Sequence, residues 1–237
     1  MNKKIVLPIS GGMDSSVLLY HAINKYEEIH TLSFDYSQRH KKELIFATKQ
    51  VEEARRRYPN KLITHKVLDI SFIKDIATTS ALTNLGINVA KIKDVCGHPQ
   101  HQNYVPFRNM ILLSIACSYA ESVDAQTIYH GAAQIDSAAG FWDGSVEFLD
   151  VINSITALNR MKKIQIVAPL IDMSKKDIIL HGVNLGVDFN KTWTCYEGLE
   201  DACGECTSCS ARIKGFIDAK IKDPITYSRT IPWEKFI

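Results

Sequence analysis

The sequence predicts an α/β protein whose strands form one doubly wound parallel sheet. Short apolar runs alternate along the chain with longer stretches that carry apolar residues at helical spacing. A glycine-bearing loop joins the first apolar run to the first helical stretch. This alternation favours a parallel sheet covered by helices on both faces, because parallel neighbours need crossover connections.

The positions of the elements follow from the same patterns. Strands are predicted at residues 4–9, 29–34, 62–69, 127–130 and 164–168. Helices are predicted at residues 17–23, 41–57, 110–121, 146–158 and 174–185. Ser174 is suited to cap the last of these helices. The chain shows no internal repeat and no low-complexity linker, so we interpret residues 1–237 as one domain with a small C-terminal appendage.

Composition and charge exclude several classes of protein. Hydrophobic residues make up 46% and charged residues 23% of the chain, and the formal net charge of +2 is too small to indicate a nucleic-acid or membrane surface. No apolar run approaches the roughly 20 residues of a membrane-spanning helix. The first residues lead into a strand rather than a signal peptide. We therefore expect a cytoplasmic protein that binds neither a membrane nor a nucleic acid directly.

A phosphate-binding loop with the sequence SGGMDSS is predicted at residues 10–16. Gly11 and Gly12 allow the backbone to turn tightly and to approach an anion closely. The helix that follows offers unpaired N–H groups and the positive end of its dipole. Hydroxyl donors are available at Ser10, Ser15 and Ser16. The spacing matches neither a Walker A loop nor the GxGxxG motif. The alternative to a phosphate-binding loop is a glycine turn capped by its own polar side chains.

Four of the six cysteines form a C-x7-C-x2-C-x2-C pattern, at Cys195, Cys203, Cys206 and Cys209. In a reducing cytoplasm such clustering indicates metal binding rather than disulfides. Four thiolates suit tetrahedral Zn²⁺, and a closed ligand set indicates a structural site. We place this zinc-binding segment at residues 192–227, with Gly204 relaxing the turn between two ligands. The alternatives are an iron–sulfur cluster and a redox pair, and the second lacks a thioredoxin-like setting.

The other two cysteines are candidates for a sulfur carrier, as in the tRNA enzymes that transfer sulfur. Cys117 lies within the apolar stretch ILLSIACSYA, where core packing is the better interpretation. Cys96, in VCGHPQH, has no such pattern, and packing in a loop is favoured over catalysis.

The loop SGGMDSS resembles the PP-loop of the ATP pyrophosphatases, which have an adenine nucleotide alpha hydrolase-like fold and include NAD synthetase, GMP synthetase and several tRNA-modifying enzymes. The resemblance implies that the loop holds the pyrophosphate leaving group of ATP. It also implies that Asp14 occupies the acidic position associated with Mg²⁺ and the phosphates. Backbone groups near Ser33 and Phe34, at the end of the second strand, are implied to meet the adenine.

The loop and the cysteines together resemble one family, the 7-cyano-7-deazaguanine synthases or QueC family, and the match covers nearly the whole chain. The blocks that carry it are SFDYSQRHKKEL at 33–44, SALT at 80–83, YVPFRN at 104–109, APLIDMSKKDII at 168–179, TWTCYEG at 192–198, CGECTSC at 203–209 and KGFIDAKIKDPITY at 214–227. Their order and spacing agree with the family throughout.

The resemblance implies a reaction that joins 7-carboxy-7-deazaguanine, ATP and ammonia. A carboxylate is a poor electrophile, and adenylation turns its oxygen into a good leaving group that ammonia displaces to give an amide. A second adenylation and loss of AMP then leave the nitrile. The charge that develops at the phosphates needs Mg²⁺, loop amides and cations to stabilise it. The family also implies a homodimer, while the source of the ammonia stays open because the chain contains no glutaminase domain.

The resemblance also indicates which residues meet the substrates. Arg39 is a candidate for phosphate or carboxylate binding, and Gln38 and His40 flank it as candidate substrate contacts. Arg108 and Asn109 precede an apolar helix, where an anionic ligand would offset the unfavourable position of an arginine. The alternative for residues 38–40 is a solvated run of charges that leads into a helix. The alternative for Arg108 and Asn109 is an exposed helix cap.

Three more candidates lie further along the chain. Lys175 stands in the first turn of its helix, an unfavourable end for a cation that a phosphate partner would explain. Asp136 and Asp143 bracket a loop that is implied to touch the purine-like base. The alternative for Lys175 is an ordinary surface lysine. The alternative for Asp136 and Asp143 is a polar loop that does not touch a ligand.

The chain departs from the family where the acceptor is expected. The family's DYSGYPDCRPEF loop is replaced by a divergent segment at 136–148, in which Ser145 stands in place of an arginine, and Phe107 replaces the glycine of VPGRN. A hydroxyl does not replace a permanently charged bidentate donor. These changes leave open, as an alternative, a QueC-like ligase that couples the acid to another amine, such as a protein N-terminus in an antiviral system, and stops at the amide. They are equally compatible with neutral drift in a nitrile synthase.

Two further hypotheses remain. A tRNA thiolase is disfavoured because the chain has no basic RNA-binding appendage, and a catalytically silent nucleotide-binding module is disfavoured by the intact loop. The tail at 228–237 extends beyond the usual end of the family, and is expected to pack on a partner chain or to cover a local apolar patch.

Overall fold

The computed structural model describes residues 3–94, 102–134, 136 and 140–237. Five parallel strands form one sheet in the order β3-β2-β1-β4-β5. The strands are β1 (Lys4–Pro8), β2 (Glu28–Asp35), β3 (Leu62–Asp69), β4 (Thr127–Tyr129) and β5 (Gln165–Val167). The order reverses between β1 and β4, so the predicted doubly wound parallel sheet is confirmed.

Seven α-helices occur within the described residues. They are α1 (Met13–Ile23), α2 (Lys42–Arg57), α3 (Ile73–Ile76), α4 (Arg108–Ser122), α5 (Val146–Thr156), α6 (Lys175–Leu185) and α7 (Thr207–Asp218). Short 3₁₀ turns lie at Ile92–Asp94, Trp142–Gly144, Phe189–Lys191 and Trp233–Lys235. None of these helices is both long enough and apolar enough to cross a bilayer.

The first helix begins four residues earlier than the sequence predicted. Met13 is buried and belongs to α1, which follows the extended backbone of Gly12 directly. The predicted loop at 10–16 is therefore shorter, and Asp14 lies in the first helical turn rather than before it. The polar side chains of this turn hid the start of the helix, because they interrupt the apolar pattern on which the prediction relied.

The core lies on both faces of the sheet, as the side chains of β1 show. Ile5 and Leu7 point to one face, where they pack among residues of α1, α2, α6 and α7. Val6 points to the opposite face, where it packs among residues of α3, α4 and α5. All three side chains are fully buried. This burial on both faces explains why the strand appears in the sequence as a continuous apolar run.

Ser174 caps α6 as predicted, and a reciprocal bond with Asp177 fixes the start of this helix. The Ser174 hydroxyl accepts a bond from the Asp177 N–H at 3.2 Å, and the Asp177 carboxylate accepts one from the Ser174 N–H at 3.2 Å. This capping box satisfies two helix-terminal donors. It also fixes the position of Lys175, the first residue of the helix.

A buried ion pair joins the C-terminal segment to the body of the protein. Arg212, on α7, binds both carboxylate oxygens of Asp223, with N–O distances of 2.6 and 2.9 Å. The same guanidinium donates to the Thr192 hydroxyl at 2.8 Å and to the Phe189 carbonyl at 3.1 Å. Further along, Trp233 packs against the core beside the sheet. The tail therefore covers a local apolar patch of its own chain.

Candidate active site

The loop between β1 and α1 depends on Gly11, which has a φ of +81°. A Cβ atom at this position would overlap the Glu43 carbonyl oxygen and would lie 2.5 Å from the Ala47 backbone nitrogen, both on α2. Only glycine fits this contact and this conformation. The Gly11 carbonyl accepts a bond from the Trp193 N–H at 2.9 Å, which brings the segment before the cysteines against the loop.

The three serines of the loop have different surroundings. Ser10 and Ser15 line the central cavity, and their hydroxyl oxygens lie 3.2 Å apart. Ser16 is fully buried and donates to the Gly12 carbonyl at 2.8 Å. Ser16 therefore stabilises the turn from inside, while Ser10 and Ser15 can reach a bound anion.

A cavity of about 280 Å³ lies beside the carboxyl ends of β1, β2 and β4. This is the crevice where open α/β sheets bind their ligands, at the point where the strand order reverses. The predicted site residues that line it are Ser10, Gly12, Asp14, Ser15, Phe34, His40, Arg108, Asn109, Asp136 and Lys175. The fold thus gathers residues from positions 10 to 175 of the chain into one cavity.

An ion pair between Lys175 and Asp14 lines the cavity. The Oδ1 atom of Asp14 is buried and has no hydrogen-bond partner among the described residues. Burial raises the pKa of the nearby Asp136, and the charge of Asp14 raises it further. Burial alone would lower the pKa of Lys175, but the carboxylates of Asp14 and Asp136 raise it above its usual value. Lys175 therefore remains a cation in the cavity wall.

Arg108, at the start of α4, also lines the cavity. Its guanidinium donates to the Tyr36 hydroxyl at 3.3 Å, and this is its one hydrogen bond within the described part of the chain. Burial raises the pKa of Tyr36 to about 12, so this hydroxyl stays neutral. The amide of Asn109 donates to the Asp143 carbonyl at 3.4 Å, which fixes the loop behind it. Arg108 thus keeps donors for an anionic ligand.

Glu43 is a cavity residue that the sequence analysis missed. It lies in the first turn of α2, and Gln38 donates to its Oε1 atom at 3.1 Å. The Nε2 atom of His40 is 3.4 Å from the same oxygen. Burial raises the pKa of Glu43 to about 7, although Gln38 and Arg108 both lower it. The spacing of His40 and Glu43, three residues apart at a helix start, was the one signal in the sequence that pointed to this pair.

Arg39 is not among the residues that line the cavity, and its role as a catalytic cation stays a prediction. Its guanidinium donates to the carbonyls of Ala81 at 3.1 Å and Ile87 at 2.7 Å, and lies 3.7 Å from the Glu197 carboxylate. These contacts direct the guanidinium towards protein acceptors. Arg39 therefore stabilises the loop at 80–87, which comes from a segment far away in sequence.

Other candidates also lie behind the cavity wall rather than in it. The Ser33 hydroxyl donates to the Ile9 carbonyl at 2.6 Å, and Gln38 is bonded to Phe34 and Glu43. Asp143 is buried behind Asn109, and burial raises its pKa. Gln38 and Asp143 therefore support the residues that line the cavity, and direct contact of either one with the substrate stays a prediction.

Four aromatic side chains cluster around Phe107, which directly precedes Arg108 in the chain. Phe107 has a left-handed backbone with a φ of 54° and is 56% exposed. Its ring lies 5.3 Å from that of Trp142, whose indole donates to the Tyr104 hydroxyl at 2.8 Å. Phe141 stacks on Tyr104 at 6.2 Å. Two of the residues that depart from the family pattern, Phe107 and Trp142, are thus in contact.

The four predicted cysteine ligands converge on one point. The sulfur atoms of Cys195, Cys203, Cys206 and Cys209 all lie within 4.8 Å of one another. Backbone N–H groups donate to these sulfurs, including Cys206 N to Cys203 Sγ at 3.3 Å. Gly204 has a φ of +73°, as the predicted turn requires. The cluster can therefore hold a metal ion, and it lies next to Trp193, Thr194 and Tyr196, which line the cavity.

The remaining cysteines lie outside this site. Cys117 is half-buried on α4, and burial raises its pKa to about 11, which agrees with core packing rather than a reactive thiol. Cys96 lies outside the described residues.

Comparison with known proteins identifies relatives along the whole chain. The family model described as queuosine biosynthesis protein QueC matches residues 4–220. A 7-cyano-7-deazaguanine synthase from Caldicellulosiruptor saccharolyticus is 40% identical over 232 residues, which cover 98% of this chain and 99% of the relative. A second, from Psychromonas ingrahamii, is 39% identical over 234 residues, covering 97% of this chain and 100% of the relative.

Solved structures resemble the fold at much lower identity. The U34-tRNA thiolase NcsA from Methanococcus maripaludis, which has a [4Fe-4S] cluster, matches with a TM-score of 0.51 and 18% identity, over 91% of this chain and 65% of that one. An NMN synthetase from Francisella tularensis matches with a TM-score of 0.50 and 15% identity, over 93% of this chain and 79% of that one. These matches support the fold alone.

Proposed function

This chain belongs to the QueC family of enzymes, and on that premise we propose that it adenylates 7-carboxy-7-deazaguanine with ATP and condenses the product with ammonia, through the amide, to 7-cyano-7-deazaguanine. One observation carries the proposal. A single cavity is lined by the phosphate-binding loop, by Lys175 and by Arg108. Such a cavity can hold the phosphates of ATP and a carboxylate together.

The loop between β1 and α1, together with Lys175, is suited to bind the pyrophosphate leaving group. The hydroxyls of Ser10 and Ser15, the start of α1 and the cation of Lys175 offer donors and positive charge to departing phosphates. The buried Oδ1 atom of Asp14 lacks a partner among the residues described, which fits a metal ligand. Mg²⁺ bound there would neutralise charge on the phosphates.

Arg108 and the polar residues beside it in the cavity wall are suited to bind the acid that is activated. Arg108 presents a guanidinium whose planar donors match a carboxylate. Asn109 and Asp136 also line the cavity and offer polar contacts to a purine-like base. In this arrangement Arg108 orients one carboxylate oxygen toward the α-phosphate, while Lys175 stabilises the charge that develops on the leaving group. Adenylation then activates the carboxyl carbon of the acid for nucleophilic attack by an amine.

The cysteine cluster fits Zn²⁺ better than an iron–sulfur cluster. With a Zn–S bond of about 2.3 Å, the sulfurs of a tetrahedral site lie about 3.8 Å apart. The Sγ atoms of Cys203 and Cys209 are 3.9 Å apart. In a [4Fe–4S] cluster each cysteine binds a different iron, which holds the sulfurs further apart. We assign the zinc a structural role, fixing the wall that carries Trp193, Thr194 and Tyr196.

A second candidate function rests on the aromatic cluster beside Arg108. Phe107 and Trp142 pack against each other where the family has a glycine and a proline, and Ser145 stands where the family has an arginine. An apolar surface formed by these two rings can receive a larger amine than ammonia, such as a protein N-terminus. The product would then be an amide conjugate. Homodimer formation remains a family-based prediction for either function.

The test is to incubate the protein with ATP, ammonium and 7-carboxy-7-deazaguanine and to identify the products by mass spectrometry. The proposal predicts AMP, pyrophosphate and the nitrile. Accumulation of adenylate or amide without nitrile would favour the ligase. If no AMP forms with this acid, both proposals fail.

A further inference from the structure

His130 lines the cavity directly after the carboxyl end of β4. Its backbone N–H donates to the Val167 carbonyl at 2.8 Å, which continues the pairing of β4 with β5. The centroid of its imidazole ring lies 6.3 Å from that of Phe148, in an edge-to-face arrangement. Only 9% of His130 is exposed. The sheet and α5 therefore fix a histidine in the wall of the cavity.

One hydrogen bond determines the tautomer of this ring. The Nε2 atom of His130 lies 3.3 Å from the Asp143 carbonyl oxygen. Because a carbonyl oxygen only accepts hydrogen bonds, Nε2 carries a proton and donates it. Burial lowers the pKa of His130 to about 4; the bond to Asp143 opposes this effect, and the charge of Arg108 adds to it. The ring is therefore neutral near pH 7, and its Nδ1 atom is an unprotonated acceptor.

The Nδ1 atom of His130 is open to a ligand. It makes no hydrogen bond with the residues that the structure describes, and it is not among their buried polar atoms that lack a partner. It therefore keeps contact with solvent. Since His130 belongs to the lining of the cavity and the rest of the residue is packed, this acceptor is reached from the cavity.

The Asp143 carbonyl links His130 to the residues that we assign to the acid. It also accepts a bond from the Asn109 amide at 3.4 Å, and Asn109 directly follows Arg108 in the chain. The order of the strands indicates the same side of the cavity, because β4 and β2 flank β1 on opposite sides. His130 follows β4, whereas Phe34, where the adenine is expected, belongs to β2. The heterocycle within reach of His130 is therefore that of the acid.

On the basis of this arrangement, and resting on the proposed function, we infer that the Nδ1 atom of His130 accepts a hydrogen bond from the pyrrole N–H of the acid and thereby selects a ring that carries this donor. One ring carbon separates the pyrrole nitrogen from the carbon that bears the carboxylate. The pyrrole N–H is thus the donor of the acid nearest to the group that Arg108 binds. The pyrimidine N–H and the exocyclic amine lie on the other ring.

Selection follows from the cost of an unpaired acceptor. A ring that fills the cavity without offering an N–H removes water from Nδ1 and gives no bond in return. A site built to bind an N–H group discriminates against analogues that lack it for this reason. His130 thereby acts as a specificity-determining residue, which contacts the heterocycle and takes no proton from it.

The binding test compares 7-carboxy-7-deazaguanine with its furan analogue, in which an oxygen atom replaces the pyrrole N–H. Isothermal titration calorimetry measures both affinities in the presence of α,β-methylene ATP, which cannot adenylate the acid. We expect the wild type to bind the furan analogue about tenfold more weakly than the acid. His130→Gln, whose amide can still donate to the Asp143 carbonyl, should bind the acid about tenfold more weakly and lose this discrimination.

The controls separate recognition from a general loss of structure. His181→Gln changes a histidine that is not part of the cavity lining and should discriminate like the wild type. The affinity of His130→Gln for α,β-methylene ATP should stay unchanged, and both proteins should discriminate equally against an analogue that lacks the exocyclic amine. If His130→Gln still prefers the acid over the furan analogue as strongly as the wild type does, the inference is wrong.

A spectroscopic test uses the wild type and does not require a variant to fold. In nitrogen-15 NMR of histidine-labelled protein, an unprotonated ring nitrogen moves to lower frequency when it accepts a hydrogen bond. We expect one Nδ1 resonance to move in this way with the acid and to stay in place with the furan analogue. No movement with the acid, or the same movement with both ligands, overturns the inference. If the wild type binds no acid at all, the proposed function fails and this inference fails with it.

Discussion

The ammonium group of Lys175 forms an ion pair with the carboxylate of Asp14, although 161 residues separate them in the chain. Asp14 lies in the first turn of α1 and Lys175 begins α6, so the pair joins the starts of two helices. A cation at a helix start is unfavourable to the helix dipole. The anionic neighbour offsets this, and departing phosphates would add to the effect.

Replacement of Lys175 with methionine is expected to lower the rate of adenylation by about 100-fold or more, because the charge on the leaving pyrophosphate loses a stabilising cation. The matched control is Lys176→Met, which changes the exposed neighbouring lysine. The rate of AMP formation in the presence of the acid measures adenylation by both variants. Equal rates in the two variants would show that Lys175 is only a structural cation.

Loss of metal is expected to destabilise the C-terminal segment. Cys203→Ser should bind less than one zinc per chain and should lower the melting temperature, because metal binding contributes to folding. Cys117→Ser, outside the cluster, serves as the control. Elemental analysis and thermal unfolding measure the two effects. Iron and acid-labile sulfide in the wild type, with no zinc, would refute the assignment.

Phe107 allows a test of backbone strain at the edge of the cavity. Its left-handed conformation suits glycine and is unfavourable for other residues. Phe107→Gly and Phe107→Ala both lose the contact with Trp142, so their difference isolates the backbone. We expect the glycine variant to be more stable than the alanine variant by about 1 kcal/mol. Chemical unfolding measures this, and equal stability would show that the turn is not strained.

The raised pKa of Glu43 predicts a pH dependence of stability. The pKa rises from a usual value of 4.5 to about 7 in the folded protein, because burial disfavours the charged form. A raised folded-state pKa stabilises the protein below about pH 4.5, and this contribution is lost as the pH rises through 7. The stability of the wild type relative to Glu43→Gln should therefore fall between pH 5 and pH 8. Urea unfolding of both proteins at pH 5 and pH 8 measures this difference in the free energy of unfolding. The same difference at both pH values would contradict the prediction.

Local sequence patterns predicted the parts of the site that are contiguous in the chain. The phosphate loop around Gly11 and the four-cysteine cluster carry their spacing in a few residues. The surroundings of Arg39 were not predictable, because its acceptors, the carbonyls of Ala81 and Ile87, come from a distant segment. Glu43 was missed because its burial depends on packing between the start of α2, Gln38 and the cavity. A first-turn glutamate looks like an ordinary helix residue until its surroundings are known.

The start of α1 and the position of Asp143 illustrate the same limit. The polar side chains of Asp14, Ser15 and Ser16 suggested a loop, yet hydrogen bonds within the turn make them helical. Asp143 was expected at the substrate because of its place in the loop, but it packs behind Asn109. Which face of a loop meets the cavity depends on tertiary contacts that spacing does not encode.

The most direct measurement of the central claim is the exchange of labelled pyrophosphate into ATP in the presence of 7-carboxy-7-deazaguanine and the absence of any amine. The account predicts exchange that requires the acid and that falls sharply in Asp14→Ala. Exchange that is independent of the acid, or ATP cleavage to ADP and orthophosphate, would contradict it.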